Sequence, residues 1–170
     1  LARARVVNVA AGMRHSLALD ASGAVYSWGG NDRGQLGHGA ASCGDAANRA
    51  PRRGRALGGA CARVAAGEAF SLALTAGGRV RAWGSNTYGE LGFGRLPLEA
   101  SGGYVWNEID PVSTGLPRAL VVADIAAGAR HALALGACGR VYSWGAADAG
   151  QLGRDVGGAA MASPAELPSL

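Results

Sequence analysis

The sequence predicts an all-β chain, a partial β-propeller of about three four-stranded antiparallel blades. One observation is a pattern that occurs three times: a Gly, then Trp-Gly sixteen residues on, then Leu-Gly eight residues beyond the Trp. The copies are Gly12, Trp28-Gly29 and Leu36-Gly37; Gly67, Trp83-Gly84 and Leu91-Gly92; and Gly128, Trp144-Gly145 and Leu152-Gly153. A second observation is that the interval between copies grows from 55 to 61 residues while the spacing inside each copy stays fixed. Rigid units joined by elastic connectors mark a repeat architecture. A third is that no amphipathic helical pattern competes, and the apolar residues alternate with the period of a strand.

In the first copy, the β-branched run Val6, Val7, Val9 ends at a small-residue turn, Ala10-Ala11-Gly12. Residues His15 to Leu19 then alternate large and small side chains, which suits a sheet packed between two neighbours at unequal depth. Ala21-Ser22-Gly23 is a hairpin turn, and Val25 to Trp28 the next strand. The other copies repeat these choices in 70–74 and 131–135, in the turn glycines Gly78 and Gly139, and in the strands ending at Trp83 and Trp144. A loop of small and polar residues follows each Trp, and its Leu pins it onto the apolar layer. The recurring glycines belong at positive φ or where backbones approach closely. A weaker fourth strand is expected after Pro51, Pro111 and Pro164. The 170 residues read as one propeller segment with repeat units of about 6–60, 61–121 and 122–170.

Composition narrows the function. There is no lysine among the 16 basic residues, so neither a P-loop nor Schiff-base chemistry is available. No Gly-x-Ser-x-Gly elbow occurs, and no pair of carboxylates recurs at an acid–base spacing. His15 and His131 share the repeat position that Phe70 fills in the second copy, which marks packing rather than proton transfer; His38 reads as a surface loop residue. Cys43, Cys61 and Cys138 form no CxxC pair, so neither a disulfide framework nor a metal site is expected, and no cofactor. Their spacing and the lack of an apolar run of about 20 residues fit an intracellular protein, cytoplasmic or nuclear, with no membrane partner. The charge is divided along the chain: 11 Arg against 4 acids over residues 1–85, and 5 Arg against 8 acids over 86–170.

The pattern V-x-x-(V/I)-A-A-G-x-x-(H/F)-(S/A)-L-A-L, followed by W-G and G-(Q/E)-L-G, resembles the repeat of the regulator of chromosome condensation family over 6–37, 61–92 and 122–153. The resemblance implies a ring of seven four-stranded blades, of which three repeats supply about 150° of arc. The missing blades are then expected from a longer chain, and this segment alone is expected to associate through open blade edges.

The resemblance also implies a protein-interaction propeller without covalent catalysis. The leading specific expectation is guanine-nucleotide exchange on a Ran-like small GTPase, with chromatin as a further partner. The alternative is a scaffold or substrate-recognition module of a larger signalling or ubiquitin-ligase protein. A third branch senses ultraviolet-B through tryptophans just after the Ala-Ala-Gly turn. Here those positions hold Met13, Glu68 and Ala129, so the chromophore is missing.

Candidate partner-binding residues are those following each Ala-Ala-Gly: Met13 and Arg14, Glu68 and Ala69, Ala129 and Arg130. Two connector features join them. Arg52, Arg53 and Arg55 form part of an arginine cluster suited to phosphates or an acidic protein surface. Trp106, beside Tyr104, is a candidate interface anchor.

Overall fold

The computed structural model describes residues 4–38, 46–54, 57, 59–94, 112–157 and 160–168. Each copy of the repeat forms one four-stranded antiparallel sheet with strands in sequence order. The first blade comprises β1 (Val6–Ala11), β2 (His15–Asp20), β3 (Val25–Gly29) and β4 (Arg52–Arg53). The second comprises β5 (Cys61–Ala66), β6 (Phe70–Thr75), β7 (Val80–Gly84) and β8 (Val112–Ser113). The third comprises β9 (Val122–Ala127), β10 (His131–Gly136), β11 (Val141–Gly145) and β12 (Met161–Glu166). Among the described residues there is no α-helix, only a 3-10 turn at Ala46–Arg49.

The alternation of large and small side chains decides how blades stack. Leu17 and Leu19 of β2 share a buried cluster with Ala73 of β6 and Trp83 of β7. Leu72 and Leu74 of β6 meet Ala132, Ala134 and Trp144 of the third blade in the same way. Each leucine face therefore fits the alanine-and-tryptophan face of the following blade. Burying one such leucine contributes about 1.5–3 kcal/mol. The middle blade is covered on both sides, so β6 is buried at all six positions. In β10 the corresponding leucines are less covered, and Leu135 is 41% exposed. Trp28, on the opposite face of the stack, is half-buried, whereas Trp83 and Trp144 are buried.

Backbone hydrogen bonds join the blades at their ends. Cys61 N donates to Gly23 O at 2.9 Å, and Val122 N donates to Gly78 O at 3.1 Å. The first residue of each later blade is thus tied to the hairpin turn of the blade before it. Gly23 and Gly78 have φ of 81° and 72°, and a Cβ at Gly23 would lie 2.5 Å from that of Ala60. Both reasons for glycine, left-handed backbone and close approach, coincide there.

Two expectations are corrected. β4 and β8 do begin directly after Pro51 and Pro111, but Pro164 lies inside β12. It is accommodated because β12 is an outermost strand, where a missing N–H breaks no internal ladder, and the register shifts there between Ser143 and Gly145. His38 is partly buried rather than a surface loop residue: its Nε2 lies 2.8 Å from Ser27 Oγ. Desolvation, joined by nearby Arg52, holds its pKa below the ordinary histidine value.

Candidate interaction face

The turn after each inner strand and the loop after each Trp lie at the same end of the blades. Gly30 N donates to the Arg14 carbonyl, Ser85 N to that of Ala69 at 2.9 Å, and Ala146 N to that of Arg130 at 2.8 Å. These bonds place every Ala-Ala-Gly turn beside its own Trp loop. Side by side, β1, β5 and β9 carry the three turns to a common centre. Glu68 N donates to Ala129 O at 2.8 Å, which joins the second and third turns directly.

The loops are held by the residues that define their motif. Asn31 Oδ1 accepts from Leu36 N at 2.9 Å, and Asn86 Oδ1 from Leu91 N at 3.1 Å. The Gln or Glu before each Leu-Gly folds back onto its own loop. Gln35 Oε1 accepts from Arg33 N, Glu90 Oε2 from Tyr88 N, and Gln151 Oε1 from Ala149 N. Leu36, Leu91 and Leu152 are each no more than 1% exposed as a result. Burial pushes the Glu90 carboxyl above its ordinary pKa, against the hydrogen bonds that favour its charged form.

Met13, Glu68 and Ala129 line one concavity of about 460 Å³, together with the three glycines Gly12, Gly67 and Gly128. The floor is the constant part of the repeat, and the rim carries its variable part. Met13 is 72% exposed. On one side of the rim Arg130 Nε donates to Glu68 Oε2 at 2.7 Å, and its Nη1 donates to Tyr88 Oη at 3.1 Å. The guanidinium also lies 4.9 Å from the centre of the Tyr88 ring. Its pKa is raised, chiefly by the hydrogen bond it donates to Glu68. The equivalent positions between the first two blades hold Met13 and Ala69, so the ion pair has no counterpart there. The mouth therefore offers an apolar sector, a carboxylate–guanidinium pair and an aromatic ring within one concave surface.

Tyr88 was not among the sequence candidates. Its signal lies in the loop register, where Arg33, Tyr88 and Ala149 are equivalent. Arg14 is exposed at the same end of the first blade. Arg52 and Arg53 are exposed too, but on the outermost strand β4. Arg53 lines a cleft near the hairpin turn at Gly23, not the mouth. Arg55 and Trp106 lie outside the described residues. The other candidate positions are packing sites: Gly37 would place a Cβ 3.0 Å from Trp83 Nε1, and Gly92 one 2.7 Å from Trp144 Nε1.

Arginines also collect at the hairpin-turn end of the blades. Three clefts at the hairpin-turn end are lined by Arg53, by Arg79, Arg81 and Arg118, and by Arg140. Glu166, paired with Arg140 at 3.4 Å, is the carboxylate among their lining residues. Cys61 is buried, and desolvation pushes its thiol up to about 11; Cys138 is an exposed free thiol. Among the described residues no group of three His, Cys, Asp or Glu could hold a metal, and no helix is long and apolar enough to cross a membrane.

Repeated four-stranded sheets, stacked Leu face to Trp face with their turns gathered at one mouth, define a propeller built from one repeated unit. The regulator of chromosome condensation (RCC1) repeat matches residues 6–35, 61–90 and 122–151, and a second description of that repeat matches 22–74 and 77–135. The chain belongs to this family. It is 38% identical over 159 residues to the human E3 ubiquitin-protein ligase HERC2, covering 91% of this chain and 3% of the ligase. It is 32% identical to the ultraviolet-B receptor UVR8 of Arabidopsis thaliana, covering 85% of this chain and 30% of the receptor. Among solved structures it superimposes on Prp20p from Saccharomyces cerevisiae with a TM-score of 0.80 and 28% identity, covering all of this chain and 40% of that one. That structure was reported with the binding of Prp20p to Gsp1p and histones.

Proposed function

We propose that this chain is a protein-interaction segment of a larger propeller and that its partner docks at the Ala-Ala-Gly mouth. The observation that carries this reading is the convergence of Met13, Glu68 and Ala129 on one concavity above an otherwise constant Ala-Ala-Gly floor. An apolar centre beside a polar, partly charged rim is the usual anatomy of an interface hot spot. No covalent chemistry is required of it, because docking needs only shape and charge complementarity.

Two specific readings follow from the relatives. Higher sequence identity to the HERC2 ligase favours a substrate-recognition or scaffold segment in a larger ubiquitin-ligase-like protein. Likeness to Prp20p, with its binding of Gsp1p and histones, supports exchange on a Ran-like GTPase, with chromatin as a further partner. A nucleotide-release assay separates them. The chain is added to a Ran-class GTPase loaded with fluorescent GDP, and the rate is compared with the intrinsic rate. Acceleration supports exchange. An unchanged rate, with the GTPase absent from the partners recovered on the immobilised chain, leaves the recognition reading. Loss of partner capture on reversing Glu68 and Arg130 supports the mouth as the docking site; undiminished capture contradicts it.

A further inference from the structure

At the hairpin-turn end, the first and third blades each hold a carboxylate against a phenol. Asp20 Oδ2 accepts from Tyr26 Oη at 3.1 Å, while its Oδ1 accepts from Ala24 N at 3.0 Å. Glu166 Oε2 accepts from Tyr142 Oη at 3.2 Å and from Arg140 Nη1 at 3.4 Å. The second blade departs at each of these places. Thr75 stands in the register of Asp20, and Arg81 in that of Tyr26 and Tyr142. Ser113 is paired with Arg81 where Glu166 is paired with Tyr142. Arg79 takes the place of Ala24. Both carboxylate positions are thus neutral in this blade, and two guanidiniums have been added.

These substitutions surround a cleft of about 670 Å³ between the second blade and the connector that leads into the third. Val80 and Val122, each 4% exposed, form its floor, and Leu116 and Leu120 stand beside them. Arg79, Arg81 and Arg118 line it, and among the described residues no carboxylate does. Arg79 Nη1 donates to the Arg118 carbonyl, which holds one exposed guanidinium against the connector that carries another. Gathered cations favour an anion of more than one charge, and a phosphate monoester carries about −1.5 to −2 at neutral pH. Guanidinium forks match its oxygens in pairs. The volume falls within the roughly 300–1,000 Å³ of ligand clefts, larger than a bare ion needs, so the apolar floor has room for neighbouring atoms of the ligand.

We propose that this cleft binds a phosphorylated side chain on a peptide segment of a partner protein. Arg79 and Arg118 take the phosphate oxygens, and Leu116 and Leu120 receive an apolar residue beside the phosphorylated one. Arg81 adds positive charge at the side of the second blade. The cleft lies at the end of the blades opposite the Ala-Ala-Gly mouth, so it is a second site that does not rest on docking there.

The test is retention of a degenerate peptide library, with phosphoserine at one fixed position, on the immobilised 170-residue chain. The same library with serine, and with glutamate, at that position is run beside it. Circular dichroism confirms the fold of each variant. Wild type is expected to retain the phosphoserine library roughly tenfold or more above the serine library. Arg79→Gln and Arg118→Gln are each expected to lower that retention about fivefold or more. Arg140→Gln removes the same charge from the neighbouring cleft and is expected to leave it unchanged. Equal retention of the serine library overturns the proposal. A glutamate library held as well as the phosphoserine one overturns it in favour of carboxylates. An equal loss in Arg140→Gln overturns it too, since general attraction to a basic end would then explain the binding.

Discussion

Trp83 of the second blade donates its indole N–H to the backbone carbonyl of Gln35 in the first, 2.9 Å away and 48 residues earlier in the chain. Trp144 does the same to Glu90 of the blade before it. The Trp of the second and of the third Trp-Gly motif is therefore bonded to the loop of the preceding repeat, just before its Leu-Gly. The two invariant dipeptides of the pattern describe one contact between neighbouring blades.

Trp83→Phe and Trp144→Phe are each expected to destabilise the chain by about 2 kcal/mol, by removing a buried hydrogen bond and leaving a gap beside the ring, although the Gln35 carbonyl keeps Ser71 Oγ as a donor. Trp28→Phe, half-buried and without an acceptor among the described residues, is expected to cost less than half as much in dilute monomer. Urea denaturation of the three variants checks the ranking.

Gly92→Ala is expected to be more destabilising than Gly139→Ala, although both glycines have positive φ, 67° and 84°. Backbone strain of about 1 kcal/mol is common to both. Only at Gly92 would the new Cβ lie 2.7 Å from Trp144 Nε1; at Gly139 it meets nothing within 4 Å. A difference of about 1 kcal/mol or more in the same denaturation experiment is the expected outcome.

His15 ties stability to pH. Its ring is 2% exposed, and desolvation lowers its pKa from 6.5 to about 4, with a backbone hydrogen bond at Phe70 acting weakly the other way. The unfolded chain then binds a proton that the folded chain refuses, so stability rises with pH across this window. The contribution is complete above about pH 6.5 and is lost as pH falls towards 4, by at most about 3 kcal/mol. The double variant H15F/S71A removes the ring and its partner Ser71 Oγ, copying the Phe70–Ala132 pair of the next interface between blades. It is expected to flatten the stability profile between pH 6.5 and 4. The comparison removes the parallel contributions of His38 and His131, whose pKa values are also lowered by burial.

Arg130→Ala is expected to change stability by less than about 1 kcal/mol, because its pair with Glu68 is 47% and 34% exposed and screened by water. If the mouth is the docking site, the same variant weakens partner capture. That split between stability and binding is the signature of a residue kept for recognition.

Much of the blade was legible in the sequence because it is written in side chains one strand apart. The Leu–Ala alternation of Leu17, Ala18 and Leu19 announced two unequal faces, and the structure stacks them accordingly. The bond from Trp83 to Gln35 was not legible, since its acceptor is a main-chain atom that leaves no mark on residue type. The ion pair of Glu68 with Arg130 spans 62 residues, yet it could have been found by setting each post-glycine position against the next position of the following repeat. The collection of arginines at the hairpin-turn ends was hidden because Arg53, Arg79 and Arg140 line separate clefts that share one end only once the blades are stacked.

The most direct test compares charge reversal at the two ends of the blades. A variant carrying Glu68→Arg and Arg130→Glu alters the mouth, and Arg140→Glu alters the hairpin-turn end without touching it. Each is immobilised, and recovery of the partner captured by wild type is quantified, with circular dichroism confirming the fold. Docking at the mouth predicts that the first variant loses the partner and the second retains it. Retention by the first and loss by the second would contradict the account and place the interaction on the basic end.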